Sequence, residues 1–138
     1  MPASDWSCRA LIALARSGER VRFRALGRSM GRAIPSRSLV EISPCTGSEL
    51  AVGQIAAFER GGRVVVHRVA ALKPGAVQFA SDAQGLGDGW VAFENVLGRA
   101  HVVERPRRGL RAASLALLRR LLPRVRKYMA SRGESSHG

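Results

Sequence analysis

The chain has 138 residues, 46% of them hydrophobic, which allows one small domain with a core and excludes wholesale disorder. Twenty-three basic residues against ten acidic ones give a net charge of +13 and a pI near 11.7. Two cysteines, Cys8 and Cys45, exclude a disulfide scaffold, and no C-x-x-C pair offers a zinc site.

From the N-terminus, residues 5–17 read as a short amphipathic helix. Asp5 or Ser4 caps it, Leu11, Leu14 and Ala15 line one side, and Gly18 stops it. Its apolar run, Ala10–Ala15 between Arg9 and Arg16, falls well short of the roughly 20 residues that span a bilayer. It also lacks the pattern of a signal peptide. The expectation is a cytoplasmic chain without a membrane anchor, with peripheral membrane contact as an option.

Val21–Leu26 alternates apolar and basic residues at the period of a half-buried strand, and Gly27 ends it. A turn or short helical stretch follows at Ser29–Ala33. Leu39–Ile42 reads as a second strand, closed by the turn cluster Ser43–Gly47. Ile55–Phe58 and Val64–Leu72 form a hairpin across Glu59-Arg60-Gly61-Gly62. After the Lys73-Pro74-Gly75 turn comes a strand at Ala76–Ala80, then a Gly- and Asp-rich loop over 81–89. A last strand covers Val96–Glu104.

Beyond Pro106, Leu110, Leu117, Leu118, Leu121, Leu122, Val125, Tyr128 and Met129 recur at helical spacing, with arginines on the complementary surface and a kink at Pro123. The expected fold class is mostly β, with an N-terminal helix (residues 1–20), a β domain (21–105) and a basic amphipathic C-terminal helix with a frayed tail (106–138).

The charge follows this division. Residues 1–37 hold eight arginines against Asp5 and Glu19, net +6. Residues 38–104 hold five basic and seven acidic residues, net −2. Residues 105–138 hold ten basic residues and Glu134, net +9. A uniformly basic nucleic-acid coat is thereby excluded. The helix over 107–131 has three readings: packing on its own domain, lying on anionic lipid, or contacting phosphates. With 5% aromatic residues the chain offers few stacking platforms for bases, so nucleic acid is disfavoured as a partner.

Three segments of the β domain carry candidate chemistry. Ser29 follows a strand end in Gly27-Arg28-Ser29-Met30, His67 sits in the apolar strand Val64–Val69, and Asp82 and Asp88 lie in the loop after the next strand. Serine, histidine and aspartate are the ingredients of nucleophilic acyl transfer: a hydroxyl, a base within reach, and a carboxylate that fixes the base's tautomer. Taken singly, each has an ordinary explanation. A strand histidine is commonly structural, and an aspartate beside glycines is commonly turn chemistry.

The order and spacing of these boxes resemble the signal peptidase I and LexA/phage-repressor superfamily of serine peptidases, over about Val21 to Val103. The Ser-Met box is met by Ser29-Met30, the Gly-Asp-(Ile/Val)-Val-x-Phe strand by Gly53–Phe58, and Val-His-Arg-Val by Val66-His67-Arg68-Val69. The loop aspartates are met by Ser81-Asp82 and Asp88, and Val-Leu-Gly-Arg by Val96–Arg99. A histidine at the base position resembles the archaeal and endoplasmic-reticulum branch; most bacterial members carry lysine there.

The resemblance implies a signal-peptidase-like β fold with Ser29 as nucleophile, His67 as base, Asp88 as its partner and Asp82 as the aspartate of the Gly-Asp element. It places Gly27 and Met30 around the oxyanion and substrate, with the Ser29 N–H in the oxyanion hole. Lys73, a rival base by type, precedes Pro-Gly and reads as a turn residue. No metal or cofactor is implied, and the partner is an extended precursor or leader peptide. The departures are Arg32 for proline, Arg37-Ser38 for Gly-Asp, Gly27 for serine and Ser81 for glycine. They keep open the alternative of an inactive pseudo-peptidase that binds a peptide or protein partner.

Overall fold

A computed structural model of the chain describes residues 5–107. The expected amphipathic helix over 107–131 lies, but for its first residue, outside the described residues. Helix α1 spans Asp5–Arg16. Strands follow at β1 (Val21–Arg24), β2 (Leu39–Pro44), β3 (Ile55–Arg60), β4 (Arg63–Lys73), β5 (Ala76–Ser81), β6 (Gly85–Ala92) and β7 (Val96–Glu104). Single 3-10 turns lie at Gly47–Glu49 and Phe93–Asn95. The protein is therefore mostly β with one short N-terminal helix. No helix among the described residues is long and apolar enough to cross a membrane.

The strands form one antiparallel sheet in the order β1-β2-β7-β3-β4-β5-β6. Helix α1 ends as its sequence requires. Gly18 takes φ 88°, its N–H donates to the Ala15 carbonyl, and the Glu19 N–H donates to the Leu14 carbonyl, both at 3.1 Å. This is the Schellman closure that glycine favours. Ile12 and Ala15 are buried against Val21, Ile42, Ala57 and Leu97, so the helix is held by its apolar stripe. Phe58, Val69, Val77, Phe79 and Val91 form a second core cluster, in which the Phe58 and Phe79 rings stack at 4.4 Å. A third cluster gathers Met30, Ile34, Val40 and Ala100.

The β3–β4 hairpin turns on Gly61 and Gly62, with φ 58° and 75°. Two consecutive positive φ values define the tight turn whose twist matches antiparallel strands. At Gly98 the β7 backbone passes so close to β2 that an added Cβ would stand 2.2 Å from the Ser43 carbonyl oxygen.

Two sequence expectations need correction. The first strand stops at Arg24 rather than Leu26, because Ala25 leaves the ladder for separate hydrogen bonds with Ser38 and Arg37. The Gly-rich segment 81–89 is not a loop: Gly85–Ala92 is strand β6, paired with β5 from Ser81↔Gly85 to Ala76↔Ala92. Its register breaks between Ala80↔Leu86 and Gln78↔Trp90. There Gly87, Asp88 and Gly89 stand opposite the single residue Phe79, a bulge of the kind that re-aims a side chain.

Candidate active site

Strand β4 carries His67 toward Phe58, whose ring meets the imidazole edge-on at 6.3 Å between centroids. The bulge in β6 turns Asp88 to the same place, and the His67 Nδ1–H donates to Asp88 Oδ2. Both side chains are largely shielded, at 12% and 16% exposure. A carboxylate only accepts hydrogen bonds, so the neutral ring keeps its proton on Nδ1 and leaves the Nε2 lone pair as the acceptor.

Asp88 is itself held by Arg60. One guanidinium nitrogen lies 3.4 Å from Asp88 Oδ1, the other donates to the Asp88 backbone carbonyl, and the guanidinium rests 5.2 Å above the Phe58 ring. Arg60 was not among the residues singled out from the sequence. Its place opposite Arg63 at the end of the β3–β4 ladder says nothing of a contact with β6.

Ser29 is half-buried in the chain of turns after β1. Its carbonyl accepts the Ser81 hydroxyl at 2.7 Å and the Ala83 N–H at 3.0 Å, while the next residue, Met30, is 3% exposed in the third core cluster. The nucleophile candidate is thus pinned by its backbone on one side and by a buried neighbour on the other. Among the described residues its own N–H makes no hydrogen bond, as an oxyanion donor requires.

Ser29 and His67 line one cavity of about 540 Å³, together with Gly27 and Met30. Its walls come from β1 and its extension, from β4, and from Cys8 and Leu11 of α1. Gly27 holds φ 106° with open space where a Cβ would stand, so conformation rather than crowding explains a glycine there. Among the described residues no hydrogen bond joins the Ser29 hydroxyl to the His67 ring; the ring's polar partner is Asp88.

Among the described residues Asp82 makes no hydrogen bond to His67, although it lies near enough for the imidazole's charge to act on its carboxyl. Its two oxygens accept from Arg68 Nε and Nη2, each at 2.8 Å, and Arg68 also donates to the Gly53 carbonyl at 2.8 Å. The Arg68 hydrogen bond holds the Asp82 carboxyl below the ordinary carboxylate range. Asp82 is therefore a tie between the β5–β6 connection, β4 and the turn at Gly53. Lys73 places its ammonium 4.2 Å from the centre of the Trp90 ring and is not among the residues lining the cavity.

Comparison of the chain with protein-family models, with curated proteins and with solved structures finds no match in any of the three.

Proposed function

We propose that the chain is a serine endopeptidase of the signal-peptidase-like type, using Ser29 and His67 oriented by Asp88 on that superfamily's β fold. One observation carries the reading: a serine on a pinned turn and a histidine with its Nδ1 held by a half-buried carboxylate face the same cavity. In the reaction the Ser29 hydroxyl adds to the scissile carbonyl as its proton passes to His67 Nε2. The oxyanion accepts from the Ser29 N–H, and the imidazolium then gives the proton to the leaving amine. Water repeats the sequence on the acyl-enzyme: His67 takes its proton, the Ser29 ester bond breaks, and the Ser29 oxygen recovers the proton. The substrate is an extended precursor or leader peptide, added as a strand alongside the groove between β1 and β4.

An alkyl fluorophosphonate tests this reading. Labelling at Ser29 that is lost in Ser29→Ala and strongly slowed in His67→Ala supports it. An unlabelled wild-type protein overturns it.

The open hydroxyl–ring leg favours a second reading, a pseudo-peptidase that captures a peptide without cutting it. Peptide binding without any Ser29 labelling is its signature.

A further inference from the structure

The cavity beside Ser29 and His67 has a pronounced charge asymmetry. Its floor is apolar, with Leu11, Phe23, Ile34 and Val66 among its residues, and the permanently charged side chains that line it among the described residues are both cationic: Arg24 on β1 and Arg63 at the start of β4. No carboxylate among the described residues lines it.

Elsewhere, four arginines each reach a carboxylate at 3.4 Å or less: Arg16 with Glu59, Arg22 with Glu41, Arg60 with Asp88, Arg68 with Asp82. The two cavity arginines are different. Among the described residues Arg63 has no such partner; Arg24 donates through one nitrogen to the Arg37 carbonyl at 3.2 Å, and its nearest carboxylate is Glu104 at 3.8 Å, itself 57% exposed. Two cations among the residues lining an apolar groove, neither with a carboxylate closer than 3.8 Å among the described residues, are complementary to an anionic side chain.

We propose that the peptide taken by this groove carries an aspartate or glutamate side chain that lodges between Arg24 and Arg63; the inference rests on the peptidase reading and names its substrate class. Position follows from the strand. Arg63 precedes His67 by four residues on β4, which at about 3.3 Å per residue is about 13 Å. The acidic residue therefore sits about four residues from the scissile bond, on the Arg63 side.

The test uses the full chain as Ser29→Ala and decapeptides bearing a neutral dye, randomised except for Glu or Gln at one scanned position, read by fluorescence anisotropy at low salt. The expected result is about fivefold tighter binding of the Glu peptide at one position, weakening as salt rises. Arg24→Gln and Arg63→Gln each reduce the preference, and Arg63→Glu turns it toward Lys peptides. Both arginines are exposed, and circular dichroism on each variant verifies the fold. Equal binding of Glu and Gln peptides overturns the proposal, as does a preference that survives the double Gln variant, or no peptide binding at all. Fluorophosphonate labelling of the wild-type chain separates the two claims. Labelling without a Glu preference removes this inference alone, whereas a Glu preference without labelling removes the peptidase reading.

Discussion

The hydroxyl of Ser81 donates to the backbone carbonyl of Ser29 at 2.7 Å across 52 residues of sequence. Ser81 is buried and its oxygen also accepts from the Gln84 N–H at 3.2 Å, so one hydroxyl links the turn of Ser29 to the β5–β6 connection. Where the resembled superfamily has glycine, this chain has a side chain that positions Ser29 through its backbone.

Replacing that donor leaves the Ser29 carbonyl with the Ala83 N–H alone. Ser81→Ala is expected to cost about 1 kcal/mol of stability and to slow acylation of Ser29 about tenfold through loss of positioning. Urea denaturation reads the first effect and the rate of fluorophosphonate labelling the second. Ser81→Thr, which keeps the hydroxyl, should recover most of the labelling rate; unchanged labelling in Ser81→Ala would show that the contact does not position Ser29.

Asp88 fixes which ring nitrogen of His67 carries the proton. In Asp88→Asn the amide donates as readily as it accepts, so Nε2 no longer has a guaranteed lone pair. On the proposed mechanism, acylation is expected to fall by about 10³-fold or more, as at established triads whose carboxylate is made an amide. The Arg60 contact to the backbone carbonyl survives, so the thermal midpoint should move little. A single-turnover labelling assay beside a melting curve checks both statements.

Arg37 adopts φ 71°, alone among the described non-glycine residues in having a positive φ. A left-handed residue with a Cβ costs about 1 kcal/mol or more relative to glycine, and the resembled superfamily has glycine at this place. Arg37→Gly should therefore stabilise the protein by about 1 kcal/mol, a rise of about 4–8 °C in the melting temperature at this domain size. The loss of the exposed side chain offsets little of this. A lowered melting temperature would contradict the account.

Acid should loosen the Arg68–Asp82 tie. The folded Asp82 carboxyl is held below its ordinary value, chiefly by the Arg68 hydrogen bond, so its stabilisation is fully present above the unfolded value of about 3.9 and disappears as pH falls through the lower folded value. Glu41, held low by the hydrogen bond from Arg22, adds a contribution of the same sign. Asp82→Asn should thus cost more stability at pH 6 than at pH 3, which lies below the unfolded value. Parallel urea titrations at both pH values decide it.

How far the sequence could be read depended on the reach of each interaction. Strand β7 and the β3–β4 hairpin were legible because period-2 alternation and Gly61-Gly62 are local signals. Strand β6 was not: Gly85, Gly87 and Gly89 erase the alternation, and only pairing with β5 makes a strand of them. The place of Asp88 beside His67 was expected through resemblance alone, since the bulge that turns it inward leaves no pattern in the chain. The contacts of Arg60 and Ser81 escaped for the same reason, their partners lying 28 and 52 residues away. The Arg68 tie of Asp82 was not legible, because a carboxylate one residue beyond a strand end looks alike whether it meets a histidine or an arginine.

Among the described residues β6 stands last in the sheet and pairs only with β5. The carboxylate that orders the His67 ring therefore rides on a terminal strand, while Ser29 and His67 are carried by segments anchored nearer the core. Fraying of that one strand is a subglobal opening, less costly than melting the molecule. Competence at the site and integrity of the domain are two separate equilibria, and warming should extinguish the first while backbone amides of β3 and β7 still resist exchange with deuterium.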